Sequence, residues 1–112
     1  MTVTVEPVRG QVVWVELPGV EGRKPYLVVS NNQRNRQLGD ILGARVTTTR
    51  KPEHLRSVIT LTPEDHPLVG SVLCDDIYPV FKDEIRAMWG ALTQNTMRRV
   101  EDGLRIALGL PS

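Results

Sequence analysis

Short apolar runs alternate with polar breaks at intervals of roughly ten residues, the rhythm of a small sheet rather than of a helical bundle. The run from Gln11 through Val-Val-Trp-Val to Leu17 is β-branched and aromatic and predicts a buried first strand. Pro18-Gly19 ends it, and a loop carrying Gly22 leads to Lys24. Pro25 then opens a second strand, Tyr26–Val29, at a position where a missing N–H is tolerated. Ser30-Asn-Asn32 breaks that strand, and Gln33–Arg36 suits a turn or one helical turn. Ile41–Thr49 reads as a third strand. Ser57–Thr62 alternates polar and apolar positions, as a strand with one wet face does, and Ser71–Cys74 reads as a short fifth. Lys82–Ile85 suits another single helical turn. Only the last segment has full helical spacing: Thr93 as N-cap, then Met97, Val100, Leu104, Ala107 and Leu108, with Gly109 and Pro111 as the stop. Gly103 inside that helix costs about 1 kcal/mol against Ala, so the pattern predicts a close packing contact there. The expected architecture is one domain over residues 1–112, mainly β with α. It is a small, twisted, partly open barrel with the C-terminal helix at one side, preceded by a loose tail over 1–8.

Composition narrows the chemistry. Of 112 residues, 40% are hydrophobic and 24% charged, which is globular usage and argues against a disordered chain. Aromatic residues are 4%, too few for a stacking platform along the whole protein. One cysteine, Cys74, excludes an internal disulfide and multi-cysteine zinc sites, and its Val-Leu-Cys strand suits a small core residue. His54 and His66 each lie near a proline and suit loop surface. No apolar run approaches the ~20 residues of a bilayer span, and the first residues lack the pattern of a signal peptide, so the expectation is a reduced, cytoplasmic protein with no membrane role.

Net charge is only +1 but unevenly spread. Residues 1–56 hold nine Lys/Arg against five Asp/Glu, and residues 57–112 hold five against eight. Such a local basic excess attracts polyanions. The common enzyme templates are missing: no phosphate-binding glycine loop, no Gly-x-Ser-x-Gly and no His-x-x-His. Asp75 and Asp76 are adjacent on a strand and point to opposite faces, a poor arrangement for sharing one metal. What remains is Arg23-Lys24 entering the second strand, and Arg45 with Thr47-Thr48-Thr49-Arg50 leaving the third. If the two strands are neighbours, cations and hydroxyls gather around one point, a suitable environment for phosphate.

The order of motifs resembles the MazF/PemK toxins, the endoribonucleases of toxin–antitoxin pairs. The residues that carry the resemblance are Arg9-Gly10-Gln11-Val12, Val15-Glu16-Leu17, Lys24-Pro25 through Ser30-Asn31 with Asn35, and Ala44-Arg-Val-Thr47. Gly70 through Ile77, Gly90-Ala-Leu-Thr93 and the final helix continue it, so that it spans roughly residues 9–110. The resemblance implies an SH3-like barrel of the CcdB/MazF type and a two-fold homodimer. It implies metal-independent cleavage of single-stranded RNA at short sequences, with no cofactor, and a MazE-like antitoxin whose acidic segment occupies the RNA groove. By motif, its catalytic pair falls on Lys24 and Thr47. This chain departs from the family pattern in three places. Lys24-Pro25, preceded by Arg23, replaces the usual Arg-Pro, so either Lys24 or Arg23 supplies the cation. Trp14 comes one residue later than the usual aromatic. Asp76-Ile-Tyr78 replaces the common Gln-Ile/Leu-Arg.

The implied reaction needs such a pair. A 2′-hydroxyl attacks the adjacent phosphorus, leaving a 2′,3′-cyclic phosphate and a 5′-hydroxyl, and negative charge builds on the non-bridging oxygens. Lys24 takes the 2′-proton or steadies the phosphate, and Thr47 donates to a phosphate oxygen. For RNA binding, Arg34, Arg36 and Arg50 suit phosphates, as do Arg23 and Arg45 at the strand ends, while Ser30, Asn31, Asn32, Thr48 and Thr49 suit base edges. Asp76 or Glu21 suits an amino group, and Asn35 a stabilised turn. Two other classes stand beside this one. One is a gyrase-binding toxin of the CcdB type, which depends on its C-terminal helix, although Ala107–Ser112 reads here as core and cap. The other is an RNA-binding module without catalysis. Leu92, Met97, Ile106 and Leu110 exceed what one small core buries and hint at a dimer.

Overall fold

A computed structural model describes residues 6–49 and 55–111. Strands β1 (Gln11–Val15), β2 (Lys24–Val28), β3 (Asp40–Thr47), β4 (Val58–Thr60), β5 (Ser71–Phe81) and β6 (Ile85–Ala91) form one antiparallel sheet in the order β4-β5-β3-β2-β1-β6. The sheet remains open: β4 and β6 are its two edges and do not pair. A short helix α1 (Asn32–Gln37) joins β2 to β3, and helix α2 (Gln94–Leu108) follows β6. Among the described residues no helix is long and apolar enough to cross a membrane.

Side-chain alternation separates two apolar cores. Val12, Leu27, Ala44, Val46, Ile59, Val72 and Cys74 point to one face and meet Val100 of α2. Val13, Val15, Tyr26, Val28, Ile41, Val80 and Ile85 form the second core on the other face. The predicted close contact at Gly103 is present: a Cβ there would stand 2.8 Å from the Cys74 sulfur. Thr93 caps α2 by accepting from Thr96 N–H, and Gly109 ends it in the left-handed conformation.

Several expectations need correction. β5 extends to Phe81, well past Cys74, because a bulge absorbs the polar Asp75-Asp76: Ala44 pairs with Ile77 but Arg45 pairs with Leu73. β6 has no predicted counterpart. Its Ile-Arg-Ala-Met-Trp-Gly-Ala sequence neither alternates nor favours strands, and two register shifts against β1 were needed to seat it. Thr48 and Thr49 lie beyond β3 in a turn. Of the tail, residues 1–5 lie outside the described residues, whereas Pro7 is buried and Val8 N–H donates to Gln11 Oε1 at 2.8 Å. The apolar end of α2 is mostly surface. Ala107 packs on the core, but Ile106, Leu108 and Leu110 are exposed, since α2 meets the sheet through its Val100–Gly103–Leu104–Ala107 stripe. Leu92 and Met97, by contrast, are absorbed by the core that α2 covers.

Candidate nucleic-acid cleavage site

The pairing of β2 with β3 builds the site. Tyr26 stands opposite Arg45, Leu27 opposite Ala44 and Val28 opposite Gly43. Continuing that register by two residues sets Lys24 against Thr47, and directly opposed residues share a face with Cβ atoms about 5 Å apart. Both line one cleft of about 260 Å³, together with Arg23, Arg45, Thr48, Thr49, Trp14 and Trp89. The two indoles stack with ring centroids 4.8 Å apart, which fixes that part of the lining.

Within the cleft the groups are poised for an anion. Thr47 Oγ1 accepts the Thr49 N–H at 3.1 Å, so the hydroxyl is oriented and keeps its own hydrogen to donate outward. Among the described residues, Arg23, Lys24 and Arg45 take part in none of the ion pairs, in contrast to Arg9, Arg34 and Arg86, which are matched to carboxylates. Arg45 lies over the Tyr26 ring, 5.9 Å from its centroid. Tyr26 has its phenol pushed above the ordinary value, by burial first and by Asp76 nearby, against the opposing pull of Arg45. Among the described residues no cluster of three or more His, Cys, Asp or Glu is gathered to hold a metal ion.

The remaining predicted residues divide. Arg23, Arg45 and Thr48 join Lys24 and Thr47 in the cleft, whereas Asp76 does not line it and acts on Tyr26 through its charge. Arg50 lies outside the described residues. Ser30, Asn31 and Asn32 are not brought to the cleft. They follow the far end of β2, about 20 Å along the strand direction from Lys24. Their side chains hold the β2–β3 connection together and tie it to the segment before β1. Buried Ser30 bonds Asn35 Oδ1 at 2.5 Å and accepts Leu42 N–H at 3.0 Å. Asn31 caps α1 at Arg34 N–H, and Asn32 accepts Arg9 N–H, each at 2.8 Å. Asn35 is buried and stabilises the turn, as its position after Ser30-Asn-Asn32 suggests.

Sequence reading missed a second group. Register places Thr47 opposite Ser71, and Ser71 opposite Thr60, so three hydroxyl residues cross β3, β5 and β4 in one row. They line a cavity of about 460 Å³ that shares Thr47–Thr49 with the cleft and includes Thr62 and His66. Cross-strand register carries this signal and single-strand patterning does not. Buried Asp65 secures the rim, accepting from Thr62 N–H and Thr93 N–H at 3.0 Å and from the Thr96 hydroxyl at 2.7 Å. Burial raises its carboxyl, but these bonds outweigh that and hold it below the usual carboxylate range.

The fold is shared with known proteins. A family model described as the PemK-like, MazF-like toxin of type II toxin–antitoxin systems matches residues 8–108. The chain is 42% identical over 105 residues to Endoribonuclease MazF1 of Mycobacterium bovis, covering 94% of this chain and 95% of that protein, and equally to Endoribonuclease MazF4 of Mycobacterium tuberculosis. A mycobacterial endoribonuclease solved in complex with its cognate antitoxin superposes with a TM-score of 0.86 at 42% identity, covering 95% of this chain and 98% of that one. A MazE–MazF complex from Deinococcus radiodurans gives a TM-score of 0.80 at 26% identity, over 96% of this chain and 99% of that one.

Proposed function

The chain belongs to the PemK-like, MazF-like family of toxins, and on that premise we propose that it is an endoribonuclease toxin acting on single-stranded RNA in the cytoplasm. Cleavage is sequence-specific and independent of metal. The 2′-hydroxyl attacks the neighbouring phosphorus, the 5′-oxygen leaves, and the products carry a 2′,3′-cyclic phosphate and a 5′-hydroxyl. The observation that carries this reading is that Lys24 and Thr47, at neighbouring ends of β2 and β3, line one cleft that also holds Arg23 and Arg45. A scissile phosphate seated there meets a cation and an oriented hydroxyl donor at the point where charge builds, which is the stabilisation the reaction needs. Lys24 is the cation aligned with Thr47. Arg23 precedes the paired residues and suits an adjacent phosphate.

A cognate antitoxin of the MazE kind, presenting an acidic extended segment, is the expected inhibitor, because the same cations attract carboxylates. The relatives solved in complex with antitoxins support that partner. A two-fold homodimer is supported by the exposed apolar end of α2 at Ile106, Leu108 and Leu110. Light scattering that found a monomer at working concentration would overturn the dimer. Incubation with a long single-stranded RNA in EDTA tests the activity. Cut products bearing 2′,3′-cyclic phosphate ends are expected, and intact RNA with full binding would exclude catalysis.

A further inference from the structure

The face of the sheet that carries Lys24 and Thr47 continues into an aromatic group that neither the proposed chemistry nor the phosphate contacts use. Gly43 lies two residues before Arg45 on β3 and pairs with Tyr78 across β5. Because Gly43 has no side chain, Tyr26 lies down over it: a Cβ at Gly43 would stand 3.1 Å from the Tyr26 Cβ and 3.3 Å from its ring. The edge of Tyr26 thereby meets the Tyr78 ring, with centroids 6.4 Å apart and planes at 80°. Tyr26 is buried and clamped under Arg45, whereas Tyr78 is 53% exposed. Asp76, two residues earlier on β5, is near enough for its charge to act on the Tyr26 phenol. A large aromatic ring is thus propped against a buried partner that itself lies under a guanidinium, and is left open to solvent.

We propose that Tyr78 forms a base-stacking site for one unpaired nucleobase of the RNA, with Arg45 on the phosphate linking that base to the scissile position and Asp76 accepting from an exocyclic amino group. The inference rests on the endoribonuclease reading and goes beyond it by naming a residue that selects the substrate. Its chemistry fits. Stacking on an aromatic face, a cation on the backbone and an acceptor at the base edge are how single strands are held. An acceptor carboxylate favours adenine, cytosine or guanine over uracil, which has no amino group. The site lies about 13 Å along β3 from Thr47, so the stacked base belongs to a nucleotide other than the one whose 2′-hydroxyl attacks. Arg45 spans the interval, since it lines the cleft and also covers Tyr26.

The test begins by mapping cut sites in a defined transcript. A short oligonucleotide spanning one site, with a single 2′-deoxy sugar at the scissile nucleotide, then serves as an uncleavable probe for fluorescence anisotropy. Abasic replacements are walked along that probe. With the wild-type protein, one position away from the cut is expected to lose about tenfold in affinity when its base is removed, in keeping with the stacking energies of such sites. Tyr78→Ala is expected to weaken the intact probe by a similar factor and to abolish the abasic penalty at that position. Tyr78→Phe should keep both. On cleavable RNA, Tyr78→Ala should raise KM and leave kcat within a fewfold. An unchanged KM, or an abasic penalty that persists in Tyr78→Ala, overturns the stacking site. So does intact RNA binding accompanied by loss of self-association or of antitoxin binding, which would make Tyr78 part of a protein interface. If no transcript is cut, the nuclease reading fails, and the abasic series is walked instead along a single-stranded RNA that the wild-type protein binds, which still decides the stacking site.

Discussion

The backbone carbonyl of Thr47 fills the space where Gly70 would carry a Cβ. Gly70 has φ of +115°, a conformation that L side chains rarely adopt, and it precedes Ser71, which pairs with Thr47. A residue with no side chain thus fixes how closely β5 approaches the end of β3, and so where the Thr47 hydroxyl stands.

Gly70→Ala is expected to move Thr47 and to lower RNA cleavage by tenfold or more. Strain at positive φ together with the overlap should also destabilise the fold by about 1–3 kcal/mol. Ser71→Ala, which keeps the backbone, should do neither. Cleavage rates and urea midpoints of the two variants separate positioning from general instability.

Thr47→Val and Lys24→Ala should each lower cleavage about a hundredfold or more, the usual effect of removing one donor from an anionic transition state. Neither residue is buried, so unfolding midpoints should hold. Lys24→Arg should keep activity within about tenfold if the residue acts as a fixed cation, because arginine serves as a charge but not as a base. Near-wild-type rates in both of the first two variants would remove the assignment.

Asp65 is held below the usual carboxylate range in the fold, although burial alone would raise it, because four hydrogen bonds favour its charged form. A depressed folded value means that its contribution is present above the unfolded value near 3.9 and is lost as pH falls through the folded value. Asp65→Asn should cost about 2–3 kcal/mol at pH 7 and flatten the loss of stability between pH 5 and 2, within the range for hydrogen bonds to a charged group. Urea titrations across that range give the measurement.

Cys74 is buried, and burial, with Asp75 adding, pushes its thiol up to about 12. The native thiol should resist iodoacetamide at pH 8 and react once the chain is unfolded. A folded value above the unfolded one means that the unfolded chain loses this proton first, so stability from this group declines as pH rises from about 8.5 towards 12. Rapid native alkylation would contradict the packing of Cys74 against Gly103 and α2.

Element by element, local pattern was enough wherever burial dominated. The Val-rich first strand, the proline-led second, and α2 with its caps need only periodicity and end chemistry. The end of β5 and the whole of β6 follow a different logic. A bulge hides the polar Asp75-Asp76, and β6 is an edge strand whose sequence carries no strand signal of its own. In the site, Lys24 and Thr47 were legible as residue types at strand ends. Ser30, Asn31 and Asn32 looked equally polar, yet their side chains hold the β2–β3 connection together and tie it to the segment before β1.

The sequence by itself determined which side chains are available, a set of cations and alcohols, and that short strands with one closing helix would carry them. Only the tertiary structure decided which of them meet. Register between strands distant in the chain aligns Thr47 with Ser71 and Thr60, seats Tyr26 over Gly43, and sends Ser30 to the far end. The physical reason is that a strand's own pattern specifies its face and burial. Its partner and offset are set by the packing of the whole sheet and by glycines that let backbones close up.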